Sequence, residues 1–190
     1  MELAEARNNV GVYLGDSQGE YDPHPLLWSV IENSLLEHQA GYCNEISLVL
    51  HKDNSITVAD NGRGIPTQAL PHSNKTPIQT ILTDLGPDNT SVSMVAPGGL
   101  KGINMTVVNA LSQQLFVIVR REGKVFRQDF KHGIPQTELL VIGVTKETGT
   151  SVSFTPDPDI FGSSFDKAVL KHHIQELSTN YPDLKIDIFD

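Results

Sequence analysis

The sequence predicts a two-layer α/β sandwich, in which a mixed and mostly antiparallel sheet is backed by helices. Three observations predict it. Short alternating apolar runs come in pairs joined by polar turns: 46–50 and 55–59 flank Lys52-Asp53-Asn54, and 115–120 and 124–130 flank Glu122-Gly123. Helical periodicity falls between such pairs rather than after every strand, which argues against a parallel doubly wound sheet. At 190 residues the chain can bury one substantial core, and no repeat or low-complexity tract divides it. Residues 1–190 are therefore expected to form a single domain.

Taken in order, the first clear element is a helix over 26–39. Pro25 suits a first helical position, no breaker intervenes, and Gly41 offers a stop. Leu27, Val30, Ile31 and Leu35 share one face, while Ser29, Asn33 and Glu37, four apart, form a separate polar stripe. Asn is a poor interior residue because its amide competes for backbone bonds, so Asn33 is either an incidental surface residue or a functional one. The paired strands 46–50 and 55–59 follow. The second delivers Asp60 into Asn61-Gly62-Arg63-Gly64-Ile65-Pro66, where two glycines permit close backbone approach and a proline stiffens the exit. Taken alone, this is an ordinary strand-end turn or a ligand loop. Helices are predicted at 76–84 and 106–111. Between them residues 86–104, polar and rich in Gly and Pro, read as a mobile loop, and loops of such length are often functional. Strands at 139–144, 151–154 and 184–189 and a helix over 166–177 complete the pattern.

Composition narrows the function. Fourteen basic and 23 acidic residues leave a net charge of −9, and no basic cluster exceeds Arg120-Arg121. Direct binding of nucleic acid, which depends on neutralising phosphates, is not expected. The single cysteine, Cys43, forbids an internal disulfide and reads as a small buried residue rather than a reactive thiol. No apolar run reaches membrane-spanning length and MELAEARNN lacks signal-peptide features, so a cytoplasmic protein without membrane contact is expected. The seven histidines show no metal spacing, and His172-His173 read as a solvated helical pair.

Several stretches, in chain order, resemble the ATP-binding domain of the GHKL superfamily (the Bergerat fold), and within it the DNA gyrase B and topoisomerase IV branch. They are Val12-Tyr13-Leu14-Gly15-Asp16, Ala40-Gly41-Tyr42-Cys43-Asn44-Glu45-Ile46, the Asp60 to Pro66 turn, Pro97-Gly98-Gly99-Leu100-Lys101-Gly102, Val107-Val108-Asn109-Ala110-Leu111-Ser112, Arg120-Arg121-Glu122-Gly123-Lys124 and Thr148-Gly149-Thr150. The resemblance implies a ligand between helices and sheet, under a lid formed by 86–104. It implies ATP and Mg²⁺ as cofactors, with an adenine nucleotide or an adenine-mimicking small molecule as the partner. Asp60 would accept a hydrogen bond from the adenine amine, partly through water, with Thr150 in support; by residue type alone Thr150 is equally a strand-favouring β-branched residue. Asn33 would hold the Mg²⁺ that bridges the triphosphate. Glu37 and Arg63 would brace the adenine side beside Gly64, Ile65 and Pro66. Gly99, Leu100, Lys101 and Gly102 would close over the phosphates, and Arg127 would supply a basic residue at the mouth.

Three departures accompany the resemblance. The family places its general-base glutamate one turn before the asparagine, where this chain has Ser29. Serine has no useful basicity near neutral pH, and Glu32, about 100° around the helix from Asn33, should not substitute. Asn104 stands where the lid has its third glycine, with Lys101 in place of histidine. The family's transducer domain and crossing N-terminal arm find no match in these residues. Three readings result. The first is a nucleotide-binding, hydrolysis-impaired module that serves a protein partner. The second is an enzyme that reuses the site for another small molecule, and the third is the ATPase part of a working type II topoisomerase.

Overall fold

Alternation along the strands sorts the core. Ile46 and Leu48, Ile56 and Val58, Leu115, Val117 and Val119, and Val152 and Phe154 are all buried against Leu27, Val30, Ile31 and Leu35 in one apolar cluster. The intervening Ser47, Val49, Thr57, Ala59, Phe116 and Ile118 lie on the other face and are only partly covered. The computed structural model describes residues 3–15, 19–69, 74–84 and 104–190.

Within these residues the elements run α1 (Leu3–Asn8), α2 (Val10–Leu14), α3 (His24–Gln39), β1 (Glu45–Leu50), β2 (Ile56–Asp60), α4 (Pro77–Thr83) and α5 (Met105–Ala110). Then come β3 (Ser112–Arg121), β4 (Lys124–Lys131), β5 (Ile134–Pro135), β6 (Leu140–Val144), β7 (Gly149–Pro156), α6 (Lys167–Asn180) and β8 (Lys185–Phe189). The eight strands form one sheet in the order β5-β4-β3-β7-β2-β1-β8, with β6 also on β4. β1 and β8 pair parallel and the remaining pairs are antiparallel, so the sheet is mixed and mostly antiparallel as expected.

The helix ends follow local chemistry. Thr76 caps α4 by accepting from the Gln79 N–H at 3.2 Å, and Asp166 caps α6 by accepting from the Ala168 N–H at 2.7 Å. α3 ends in a Schellman turn: the Gly41 N–H donates to the His38 carbonyl and the Tyr42 N–H to the Glu37 carbonyl, with Gly41 at φ +83°.

The structure differs from expectation at several places. α3 begins at His24, with Pro25 inside its first turn. Two short helices, α1 and α2, precede it, and the Val12 to Leu14 part of the matched motif lies within α2. Arg7 pins α1 to the core, donating to the Ala110 carbonyl at 2.9 Å and pairing with the buried Asp157. His172 and His173 are not a solvated pair: the His173 and Trp28 ring centroids lie 3.9 Å apart, and burial lowers the His173 pKa. Cys43 is buried, and burial raises its thiol pKa. Among the described residues no helix is long and apolar enough to cross a membrane, and no cluster of His, Cys, Asp and Glu could hold a metal.

Candidate functional site

Asp60 ends β2 on the helix-facing side, continuing the Ile56, Val58 alternation, and is 4% exposed. A carboxylate buried without donors is strongly unfavourable, and here three elements supply them. Its Oδ1 accepts from the Gly62 N–H at 2.9 Å and the Thr150 N–H at 3.1 Å; its Oδ2 accepts from the Ser34 hydroxyl at 2.7 Å. A carboxylate offers roughly four acceptor sites, so Oδ2 retains capacity for a further donor.

The turn after Asp60 is wedged against its neighbours. A Cβ on Gly62 would stand 2.9 Å from Glu37 Oε2, and one on Gly149 would stand 2.0 Å from the Asp60 carbonyl oxygen. At Gly149, where the obstacle is backbone, only glycine allows the approach; at Gly62 a side chain would push the Glu37 carboxylate from its place. Asn61 ties the turn to β1, its Oδ1 accepting from the Asn44 and Glu45 N–H groups. The Ile65 N–H donates to Thr150 Oγ1 at 3.1 Å, so Thr150 binds the turn through its hydroxyl and Asp60 through its backbone. The Gly64 carbonyl accepts from Arg121 at 2.7 Å, and Pro66 is exposed.

Glu37, one turn beyond Asn33 on α3, grips Arg63. Its Oε2 accepts from the Arg63 N–H and Nε, and its Oε1 from Nη2 at 2.7 Å. The Arg63 hydrogen bonds outweigh burial and hold the Glu37 pKa below the ordinary value. The Tyr42 ring centroid lies 3.9 Å from the Arg63 guanidinium carbon. Asn33, half-buried, makes no side-chain hydrogen bond among the described residues. Its amide oxygen is thus free to act as a hard ligand, which fits a Mg²⁺ that keeps the rest of its shell as phosphate and water. Ser29 is 4% exposed and donates back to the Pro25 carbonyl at 3.1 Å. Burial raises the Glu32 pKa, and its side chain too has no partner among the described residues.

Two groups of expected residues do not join this assembly. Arg127 pairs with Ile118 across the β3–β4 ladder and sits 4.1 Å over the Phe116 ring, bonded to Asp129. That is the sheet face opposite Val119 and Asp60, so Arg127 is not at the mouth. The sequence order of basic residues did not reveal strand parity. Arg121, in phase with Val117 and Val119, is the basic residue the structure brings to the rim. Gly99, Leu100, Lys101 and Gly102, with most of the lid 86–104, lie outside the described residues. Asn104 is described: its Oδ1 caps α5 by accepting from the Thr106 N–H at 2.8 Å.

Sequence reasoning also missed Ser34 and Arg120. Ser34 carried a signal: it lies seven residues after Leu27 and four after Val30, squarely on the apolar stripe, where a hydroxyl needs a buried acceptor. Arg120 donates to the Asp60 carbonyl at 3.2 Å from the other side of the sheet.

Known proteins are similar to this chain in sequence and fold. Residues 20–160 match the family model of histidine kinase-, DNA gyrase B- and HSP90-like ATPases. The chain is 41% identical over 191 residues to the DNA gyrase B protein of Thermotoga maritima, covering 99% of itself and 30% of that protein. It is 40% identical to the B-type subunit of the type 2 topoisomerase of Aquifex aeolicus, covering 24% of it. Among solved structures it superposes on the 43K ATPase domain of Thermus thermophilus gyrase B, in complex with an aminocoumarin, with TM-score 0.85 and 35% identity, over 98% of this chain and 48% of that one. It also superposes on the topoisomerase IV ATP-binding domain of Francisella tularensis, in complex with a small-molecule inhibitor, with TM-score 0.83 and 29% identity, over 99% and 89%. The chain belongs to the histidine kinase-, DNA gyrase B- and HSP90-like ATPase family, with a gyrase B-like fold. It spans about 30% of the length of its gyrase B relatives.

Proposed function

We propose that this chain binds an adenine nucleotide with Mg²⁺ and turns it over slowly or not at all, acting as a binding or regulatory module. The observation that carries the first half is the Asp60 carboxylate, buried yet with acceptor capacity left on Oδ2 beside α3. An adenine amine is a donor of the right kind for it. Thr150, Gly62 and Ser34 hold the carboxylate still; Glu37 and Arg63 would frame the ring, and the Asn33 amide oxygen would hold the metal. When bound, Mg²⁺ would offset triphosphate charge.

Ser29 supports the second half. It stands one turn before Asn33, buried and bonded back to Pro25, and cannot accept a proton from an attacking water. Titration calorimetry with a non-hydrolysable ATP analogue and Mg²⁺ should show one-to-one binding. Phosphate release from ATP should stay near background. Absence of any heat or thermal shift would favour a site reused for another small molecule.

A second reading has its own support: 40–41% identity over nearly the whole chain to much longer topoisomerase subunits. On that reading the chain is the ATPase part of a working type II topoisomerase, and phosphate release would match that of such an enzyme. On either reading any DNA role would have to come through a protein partner, because the net charge of −9 opposes binding to a DNA backbone. Fluorescence anisotropy with duplex DNA at physiological salt should show no binding. A micromolar or tighter isotherm would overturn that.

A further inference from the structure

Tyr42 is a large aromatic residue that folding does not account for. It is 54% exposed and lies in the link between α3 and β1. Its backbone, however, is fixed: it occupies the position just past the Schellman turn, its N–H bonded to the Glu37 carbonyl at 2.9 Å. At this position a side chain ordinarily packs on the residue whose carbonyl it engages, through an apolar contact. Here that residue is Glu37, and the tyrosine ring instead faces the cation that Glu37 holds. Glu37 thus organises both partners, Tyr42 through its carbonyl and Arg63 through its carboxylate.

The consequence is a guanidinium with little freedom. Two bonds to Glu37 fix its edge, and the Tyr42 ring covers one face at 3.9 Å. The other face remains, on a side chain that is 50% exposed. A planar guanidinium held in this way stacks well on a flat π-system, and stacking gains most when the orienting cost has been met before binding.

We infer that Tyr42 is a positioning residue, which orients Arg63 so that its free face forms a platform for a planar heteroaromatic ring at the rim of the Asp60 site. The inference rests on the nucleotide reading above and specifies how the rim selects for a flat base. Tyr42 need not touch the ligand; it acts through Arg63.

The test is a double-mutant cycle on the whole chain, read by calorimetric Kd for a non-hydrolysable ATP analogue with Mg²⁺ and by melting temperature. Tyr42→Ala should weaken binding about 3- to 5-fold, the scale of a half-exposed cation–π contact. Its melting temperature should stay close to wild type. Tyr42→Leu, which restores bulk without a π-face, should be as weak as Tyr42→Ala, whereas Tyr42→Phe should bind like wild type. In an Arg63→Ala background, Tyr42→Ala should add no further loss. A Tyr42→Ala affinity equal to wild type, or a loss that persists without Arg63, overturns the inference and leaves nucleotide binding standing. Failure of the wild-type chain to bind the analogue overturns both.

Discussion

The two ends of the site on α3 are built by different rules. At the Asp60 end the side chains hold one another: the carboxylate is engaged by Gly62, Thr150 and Ser34, the turn by Asn61 and Thr150, and Arg63 by Glu37 and Tyr42. At the Ser29 end, one turn before Asn33, the hydroxyl is bonded to its own helix and the Asn33 amide stands without a partner among the described residues. The Asp60 assembly is distributed over α3, β2, β7 and the turn, so the groups that hold it also hold the fold. A general-base carboxylate, which the resemblance leads one to expect at position 29, is absent there at little structural cost, since the serine satisfies itself on the preceding turn. On the proposed reading, binding and turnover would therefore be separable in this chain.

The largest expected effect comes from breaking the engaged end. Asp60→Asn can keep its amide oxygen on the Gly62 and Thr150 N–H groups, but its NH2 then takes the place of Oδ2, turns the Ser34 hydroxyl from donor to acceptor, and opposes a ligand amine with a second donor. Affinity for an ATP analogue should fall at least about 100-fold, and stability by about 1 kcal/mol as charge-assisted hydrogen bonds become neutral ones. Calorimetry and a thermal melt check both. Undiminished binding would remove Asp60 from the recognition site.

The next effect tests the other end. Wild-type phosphate release is expected near background, because a positioned general base contributes about 10²–10⁴-fold in rate. Ser29→Glu restores the carboxylate on the Asn33 face and should raise turnover above wild type. It should also lower the melting temperature, because position 29 is buried. Wild-type turnover equal to that of an intact gyrase B ATPase region would mean another group supplies the base, and Glu32, with its raised pKa, would be the first to examine.

The same contrast explains what could be read from the sequence. α3 and the Asp60 turn were legible because helical and two-residue periodicities carry them without tertiary help. α1 and α2 were not, since only Ala6 and Val10 are buried there and no apolar stripe marks a short helix held by the Arg7–Asp157 pair. Arg127 and Arg121 both read as basic residues on adjacent strands. Only the ladder register, Ile118 opposite Arg127, shows which one crosses to the Asp60 face. Ser34 stands on the apolar stripe of α3, but only the fold shows that the acceptor its hydroxyl needs is the Asp60 carboxylate.

A moderate effect should appear at the rim with pH. Arg63 lowers the Glu37 pKa below its ordinary value of 4.5, so this pair's contribution to stability is fully present above that value and is lost as pH falls through the lowered one. Glu37→Gln removes it at every pH. The melting-temperature gap between wild type and Glu37→Gln, about 2–4 °C at most for so exposed a pair, should be constant from about pH 8 to 5, narrow below the ordinary value of 4.5 and close as pH falls through the lowered one. A gap that widens on acidification would contradict the ion-pair assignment.

The smallest effect on binding is expected at Ser34, although it touches the most important residue. Its hydroxyl donates to Asp60 Oδ2, the oxygen with acceptor capacity to spare. Ser34→Ala leaves that oxygen with one donor fewer in the free protein, which should cost about 1 kcal/mol, or roughly 2–4 °C in melting temperature. In the complex a ligand amine would occupy the vacated lone pair, so the penalty falls mainly on the free state. The analogue Kd should therefore stay within about threefold of wild type or tighten slightly, and the melting deficit should shrink when the analogue is saturating. A Kd weakened more than about tenfold, with the melting deficit growing on addition of ligand, would instead make Ser34 a direct ligand contact. The engaged end of the site would then extend one residue further along α3 toward Asn33 than the geometry of Asp60 alone indicates.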